Sequence, residues 1–135
     1  MERFGVSMER ELLEQFDTLL AREGYVSRSE AIRDLVRARL VEQEWERPTA
    51  SVVATITVVY EHSAHELGRV LTEMQHHYHG VIICSTHVHL DEENCLEVVV
   101  LKGRSGRVRE IADRLISTRG VKHGKLVCTT TGKQL

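Results

Sequence analysis

Two histidines and a cysteine in the second half of the chain are the residues best suited to bind a metal ion. His87 and His89 are separated by one residue, and Cys95 follows after five more. Apolar residues that favour β structure flank this segment, so the pattern predicts a strand, a turn and a second strand. Side chains two apart on a strand share a face, and direct cross-strand partners have Cβ atoms roughly 5 Å apart. If His89 and Cys95 are such partners, the hairpin brings three donors together.

Two imidazoles and a thiolate are typical ligands of late transition metals. An isolated His-x-His pair on a strand is more often a surface or packing feature, so the cysteine at a matching register carries the argument. The hairpin supplies only three ligands. A fourth has to come from the histidine-rich segment 75–79, from water or from another subunit.

Composition limits the class of protein. The chain has 135 residues and a formal net charge of −2, so no overall positive charge favours nucleic acid. Its three cysteines form no disulfide framework and no signal peptide is recognisable, which predicts a reduced, cytoplasmic protein. No apolar run approaches the ~20 residues of a membrane helix, so no membrane partner is expected. Cys84 and Cys128 lie in apolar strand patterns and are expected in the core.

The N-terminal part predicts one strand followed by two helices. Residues 1–8 alternate between an apolar and a polar face. A helix over 9–23 ends at Gly24, and the capping box Ser27 to Glu30 opens a second helix. Such a short unit cannot bury a core by itself, so two copies are expected to pair their strands as an antiparallel ribbon.

A paired ribbon of this kind fits the major groove of DNA. Its outward face carries Arg3, Gly5 and Ser7, which are the candidate base contacts. The start of the second helix offers free backbone N–H groups to a phosphate, and the candidate phosphate contacts there are Ser27, Arg28, Ser29 and Arg33. The alternative is a plain dimerisation module, because residues 1–44 contain more acidic residues than arginines.

The only proline lies in residues 46–50 and interrupts the helical pattern. We therefore predict a hinge there, between a domain at 1–45 and a domain at 51–135. The second domain shows the order strand, helix, strand, strand, helix, strand. This β-α-β-β-α-β order is the ferredoxin-like split βαβ arrangement.

Both faces of the predicted hairpin are apolar. We assign Leu96, Val98 and Val100 to the face that the helices cover, which leaves the metal donors on the opposite face together with Val99 and Leu101. A sheet covered on one side has no reason to be apolar on the other unless something packs there. The pattern therefore predicts a second copy against that face.

The two halves together resemble the nickel-responsive transcriptional regulators. The segments that carry the resemblance extend over nearly the whole chain and are residues 27–34, 60–62, 75–77, 86–89, 95–97 and 101–103. The resemblance implies an α+β protein with an N-terminal ribbon-helix-helix domain (β-α-α, an intertwined dimer) and a C-terminal ACT-like domain. It also implies a homotetramer, built as a dimer of dimers.

The resemblance implies one Ni(II) ion per subunit. Its ligands are His87, His89 and Cys95 of one chain and His76 of a neighbouring subunit. Glu97 is the expected acceptor that orients a metal-bound histidine. Glu30 and Asp34 match the carboxylates of a second cation site in that family. Two readings apply to the remaining histidines, His62, His65, His79 and His123: they form secondary metal contacts or they are solvated, and solvated side chains are expected.

The function implied by the resemblance is repression of nickel-uptake genes. The protein would bind double-stranded DNA at a palindromic operator when Ni(II) is bound, because the ion orders the interface between subunits. Two residues depart from the family pattern. Tyr78 interrupts what is a longer histidine run in some members, and it leaves His76 in place. Gly5 has no side chain where a base-contacting residue is expected, which leaves room for a different operator.

Other classes of protein are compatible with parts of the pattern. One is a regulator whose ACT-like domain binds a small effector, with the histidines incidental. Another is a structural or binding protein stabilised by zinc. An enzyme is not expected, because the chain has no nucleophile-base pair, P-loop or dinucleotide fingerprint, and no small organic substrate is expected either.

Overall fold

A computed structural model of the chain describes all 135 residues. The elements, in chain order, are α1 (Arg10–Glu23), α2 (Arg28–Glu46), β1 (Ser51–Glu61), α3 (Glu66–His77), β2 (Ile82–His89), β3 (Asn94–Arg104), α4 (Ser105–Ile116) and β4 (Val121–Thr129). Contacts between residues divide the chain into two units, Met1–Arg39 and Leu40–Leu135. None of the four helices combines the length and the apolar character needed to cross a bilayer.

The first unit contains the two predicted helices. Helix α1 ends at Gly24, whose φ of 79° is a left-handed conformation that glycine adopts without strain. The predicted cap of α2 forms, because the backbone N–H of Glu30 donates to the hydroxyl of Ser27 over 3.2 Å. Nε and Nη2 of Arg28 each donate to one carboxylate oxygen of Asp17 over 2.8 Å. These two hydrogen bonds connect α1 and α2.

The predicted N-terminal strand is not formed within a single chain. Residues 1–9 lie in neither a helix nor a strand. A strand exists only when its backbone pairs with another strand, and this unit contains no second one. The apolar face predicted for the segment is consequently exposed, with Phe4 at 76% and Val6 at 61% of full accessibility.

The second unit has the predicted β-α-β-β-α-β order. Its four strands form one antiparallel sheet in the order β2-β3-β1-β4, so β1 and β3 are central and β2 is an edge. Helices α3 and α4 pack on one face of the sheet. The core between them is formed by the inward side chains of the central strands and both helices, including Val52, Ala54, Ile56, Val58, Val99, Leu101, Leu67, Met74, Ile111 and Leu115.

The predicted assignment of the two faces of β3 is wrong. Cys95, Val99 and Leu101 are fully buried on the helix side, whereas Leu96, Val98 and Val100 are half-buried on the other side. Both sets are apolar, so alternation along the strand did not distinguish the faces. The metal donors therefore lie on the helix side of the sheet.

The face of the sheet away from the helices carries apolar side chains at its middle. We call it the open face. Its apolar members are Val53, Val59, Cys84, Val88, Leu96, Val98, Val100 and Val127, and they lie beside the polar side chains of Thr55, Thr57, Thr86, Lys102, His123, Lys125 and Thr129. Cys84 and Cys128 are both exposed, so the prediction that they lie in the core is wrong. Cys84 is exposed because it lies on the open face of the edge strand.

Residues of the predicted hinge are hydrogen-bonded to the start of α4. The hydroxyl of Ser105 donates to the carbonyl of Arg47 over 2.6 Å, and the backbone N–H of Ser105 donates to the carbonyl of Ala50 over 2.9 Å. Just before this segment, the indole N–H of Trp45 donates to the carbonyl of Thr129 over 2.9 Å. The position of a hinge at 46–50 stays a prediction.

Two glycine-to-alanine substitutions should change stability in opposite directions. A Cβ at Gly124 would lie 2.6 Å from a side-chain carbon of Ile116 and 3.1 Å from one of Val58, so Gly124→Ala should lower the free energy of unfolding by about 1–3 kcal/mol. A Cβ at Gly68, on helix α3, meets nothing within 4 Å. Gly68→Ala should raise the free energy of unfolding by about 0.5–1 kcal/mol. Urea denaturation at equal protein concentration measures both free energies of unfolding. If Gly124→Ala were at least as stable as Gly68→Ala, this packing would be contradicted.

Candidate metal centre

The hairpin of β2 and β3 pairs His89 with Cys95, which confirms the predicted register. His87 pairs with Glu97 in the same ladder. The turn between the strands is held by Asp91, whose carboxylate accepts the backbone N–H groups of Glu93 and Asn94 over 2.8 Å each. The side chain of Asn94, followed by these N–H groups, holds the pKa of Asp91 below its ordinary value. This turn fixes the register that brings the imidazole to the thiol.

Two imidazole nitrogens lie close to the buried sulfur of Cys95, which makes a group of three donor atoms. The Nδ1 of His89 lies 3.5 Å from the sulfur, and the Nδ1 of His62 lies 3.2 Å from it. The three donor atoms all lie within 4.8 Å of one another. Cys95 itself is fully buried, and both histidines are exposed at the surface beside it.

His62 was expected to be solvated, with a secondary metal contact as the alternative, and its position beside Cys95 was not predicted. It follows strand β1, and its backbone N–H donates to the carbonyl of Glu93 over 2.7 Å, which attaches it to the hairpin turn. The sequence signal that could have located His62 is the β-α-β-β-α-β order, because this arrangement places β1 beside β3. Because Tyr60 pairs with Cys95 across β1 and β3, a residue two positions after Tyr60 lies near the hairpin turn.

His87 is held by two residues on its inner side. Its Nδ1 lies 2.9 Å from a carboxylate oxygen of Glu97 and 2.9 Å from the hydroxyl of Tyr60. A carboxylate only accepts, so Nδ1 carries the proton in the pair with Glu97, and Nε2 is then the nitrogen with a free lone pair. The ring of His87 lies 4.7 Å from the ring of His89, measured between centroids. The arrangement suits a histidine that ligates through Nε2.

Burial of the phenol, followed by the negative charge of Glu97, raises the pKa of Tyr60 to about 12. Tyr60 therefore keeps its proton at neutral pH. Its hydroxyl donates toward the same carboxylate oxygen of Glu97, over 3.4 Å. The buried carboxylate of Glu97 thus accepts from two neighbours and has its negative charge compensated by hydrogen bonds.

The predicted ligand His76 lies elsewhere in the chain. It is exposed in the last turn of α3 and is not a member of the cluster. A single chain therefore brings His87, His89 and Cys95 to one edge of the sheet without His76. The donor set of the hairpin, two imidazoles and a thiolate, suits Ni(II), Cu(II) or Zn(II), provided that Cys95 loses its proton when the ion binds.

The predicted DNA-contacting residues are all on the surface of the first unit. The candidate base contacts Arg3, Gly5 and Ser7 and the candidate phosphate contacts Ser27, Arg28, Ser29 and Arg33 are exposed. Arg28 is engaged by Asp17, and the hydrogen bond between them holds the pKa of that carboxyl below its ordinary value. A phosphate would have to compete with Asp17 for Arg28.

The predicted second-cation residues lie one turn apart on α2. Glu30 and Asp34 are both exposed. The carboxylate of Asp34 accepts the hydroxyl of Tyr25 over 3.1 Å and the guanidinium of Arg37 over 3.2 Å. These partners already occupy the carboxylate, and a cation at Asp34 would have to displace or share them.

Comparison with known proteins identifies the family. A model of the NikR C-terminal nickel-binding domain matches residues 53–129, and a model of ribbon-helix-helix proteins of the copG family matches residues 2–43. Proteins named nickel-responsive regulators align over 133 residues, which is 98% of this chain and 96% of each relative. Three of them come from Thermococcus onnurineus (58% identical), Nitratidesulfovibrio vulgaris (57%) and Geobacter sulfurreducens (55%).

These matches confirm the α+β fold class and the expectation of a regulator rather than an enzyme. They cover the ribbon-helix-helix helices and the sheet that carries the cluster of Cys95. The chain belongs to the family of nickel-responsive regulators.

Proposed function

We propose that this protein is a cytoplasmic transcriptional repressor that binds its operator when Ni(II) is bound and represses nickel-uptake genes. The observation that supports the proposal most is the placement of His87, His89 and Cys95 at one sheet edge in a chain that also carries a DNA-binding domain. A buried thiol flanked by imidazoles is a soft donor set. The names of the relatives agree with such a sensor.

The ligand set proposed for nickel uses Nε2 of His87, the sulfur of Cys95 and the ring of His89 from one chain. His76 of a neighbouring subunit completes it, with one ion per subunit. Edge strand β2 leaves room for such a neighbour, because His87 and His89 remain exposed on the helix side of the sheet. His76 is exposed on its own helix, as a residue offered to another chain has to be.

Glu97 and Tyr60 act on the site through His87. The bond from Nδ1 to the carboxylate fixes the orientation of the ring and makes Nε2 a better electron-pair donor. Strong-field imidazole and thiolate donors favour square-planar Ni(II). Nickel bound in this way supplies a link between two chains.

The proposed assembly is a homotetramer built from two kinds of contact. In the first unit, the exposed apolar residues Phe4, Val6, Leu35 and Val36 would be covered when two chains pair as a ribbon-helix-helix dimer. In the second unit, the open face would be covered by the same face of another copy, an isologous contact. Apolar residues on both surfaces favour burial over exposure.

The proposed response to nickel is a shift between arrangements of the tetramer. A nickel ion can bind to the complete ligand set only when His76 of one chain lies beside the hairpin of another. Nickel therefore stabilises the arrangements of the tetramer in which these two parts are adjacent. In these arrangements the two ribbon-helix-helix dimers meet both half-sites of a palindromic operator. By thermodynamic reciprocity, operator DNA should then tighten nickel binding.

The proposed DNA contacts follow the surface of the first unit. Arg3 and Ser7 would read base edges in the major groove, and Gly5 would let the backbone approach without adding a side-chain contact. Phosphates would meet the start of α2 around Ser27, Arg28 and Ser29, with Arg33 adding charge. Glu30 and Asp34 remain the proposed carboxylates of a second cation site.

Removal of the cysteine should abolish nickel binding. The wild-type protein should take up one Ni(II) per chain in equilibrium dialysis and develop thiolate-to-nickel charge-transfer absorption. Cys95→Ala should lose both, because the thiolate is the donor of that transition. His79→Ala is the matched control, since His79 is exposed and outside the proposed ligand set. Nickel uptake by Cys95→Ala equal to that of wild type would disprove the ligand set.

Two arginine substitutions should separate base reading from phosphate binding. Arg3→Ala should weaken the free energy of binding to an operator, selected from random duplexes, by about 1–3 kcal/mol. Its effect on binding to unselected DNA should be much smaller. Arg33→Ala should weaken binding to the operator and to unselected DNA by the same factor. It should also reduce the slope of the logarithm of the binding constant against the logarithm of the salt concentration by about one. Mobility shifts with nickel at several salt concentrations measure these effects. Equal losses on both DNAs for Arg3→Ala would contradict base reading.

A further inference from the structure

We propose that Tyr78 is a positioning residue of the nickel site, which fixes the last turn of α3 so that His76 is directed away from its own chain and toward a neighbouring subunit. The inference rests on the proposed nickel function, because it concerns the ligand that this function takes from another chain. Tyr78 directly follows α3 and interrupts the histidines at positions 76, 77 and 79.

Tyr78 packs against the core of the second unit. It is half-buried, whereas the histidines at positions 76, 77 and 79 are exposed. Its position continues the buried face of the helix, because Met74 lies four residues earlier and is fully buried. The backbone N–H of Tyr78 donates to the carbonyl of Met74 over 2.8 Å, so the last turn of α3 closes at this residue.

The side chain of Tyr78 also contacts α4. The guanidinium carbon of Arg107 lies 5.6 Å from the centre of the phenol ring, within the range of a cation–π contact. The phenolic hydroxyl donates to a carboxylate oxygen of Glu110 over 3.4 Å. Both partners belong to α4, so these contacts attach the end of α3 to that helix.

Helical spacing converts this attachment into a direction for His76. Successive residues of an α-helix are about 100° apart around the axis, so residues two apart face nearly opposite sides. His76 lies two residues after Met74 and two before Tyr78, and both of these pack toward the core. Its imidazole is therefore exposed on the outer side of the helix. A rotation of the last turn would require Tyr78 to leave its contacts.

Tyr78 also engages the other histidine of the last turn. The ring of His77 lies edge-on to the ring of Tyr78, with 4.7 Å between the centroids. This contact holds His77 beside Tyr78, whereas no ring contact of that kind restrains His76. The last turn therefore offers His76, rather than His77, to another chain.

The expected consequence is a change in the affinity for nickel and not in the kind of site. A ligand on a mobile turn binds in proportion to the fraction of chains in which that turn has the binding conformation. An ordered last turn thus raises the apparent affinity for nickel without adding a donor. Because Tyr78 acts through His76, its contribution should disappear when His76 is absent.

The test measures nickel affinity by competition with a chromophoric chelator in variants of the whole chain. Tyr78→Ala should weaken nickel binding by about tenfold or more, and at saturation it should still show one ion per chain and the charge-transfer bands of wild type. Tyr78→Phe keeps the ring and should stay within about threefold of wild type. His79→Ala removes the exposed ring next to Tyr78 and is the matched control, which should leave the affinity unchanged.

A double-mutant cycle separates positioning from general stability. In the His76→Ala background, Tyr78→Ala should change the residual nickel affinity by less than about twofold. A merely structural role would weaken binding equally in both backgrounds.

A second variant covers the case in which Tyr78→Ala does not fold. Arg107→Ala combined with Glu110→Ala removes the two partners of Tyr78 on α4 and leaves the core intact, because both residues are exposed. This variant should lose at least about threefold in nickel affinity, and the loss should again require His76.

Two results would overturn the inference. One is wild-type nickel affinity in Tyr78→Ala or in the variant that lacks both partners on α4. The other is an equal loss of affinity from Tyr78→Ala with and without His76. Failure of the proposed function has a different signature, since wild-type protein would then bind no stoichiometric nickel, or His76→Ala would bind it as tightly as wild type.

Discussion

The pairing of His89 with Cys95 across the hairpin is the constraint on which the site depends. Side chains alternate along a strand, so a shift of one residue would turn the imidazole away from the sulfur. The turn at Asp91, with its two backbone hydrogen bonds, prevents that shift. Cys95 then enters the helix-covered side of a central strand and becomes fully buried, whereas His89 stays at the exposed edge. The sulfur is thus fixed by the core and its partners are reached from solvent.

The edge position of β2 connects the site to assembly. Helices α3 and α4 cover the central strands, and the helix side of β2 remains uncovered around the two histidines. The same strand contributes Cys84 and Val88 to the open face. An edge strand whose side chains are exposed on both faces of the sheet is suited to contact other copies of the chain. Under the proposed function, the sensor and the interface are therefore one structure, and metal binding changes assembly directly.

Local patterns in the sequence predicted most of the fold. Apolar spacing located the four helices and the sheet strands, and the register of the hairpin followed from the spacing of His89 and Cys95. The faces of β3 were assigned wrongly, because both sides of that strand are apolar and only the packed helices distinguish them. The closeness of His62 to Cys95 was not predicted, because it depends on β1 lying beside β3, which is a long-range pairing. The N-terminal strand needs a second chain and could not appear in one.

The central claim is that a nickel site takes three donors from one chain and the fourth from another. It can be tested by mixing two variants that are each expected to bind no nickel with the normal spectrum, His76→Ala and Cys95→Ala. After unfolding and refolding together in equal amounts, a hairpin from one variant can meet a histidine from the other. If chains assort at random, about a quarter of the square-planar nickel absorption of wild type should return. No recovery in the mixed tetramers, with each variant refolded normally, would contradict a site shared between chains.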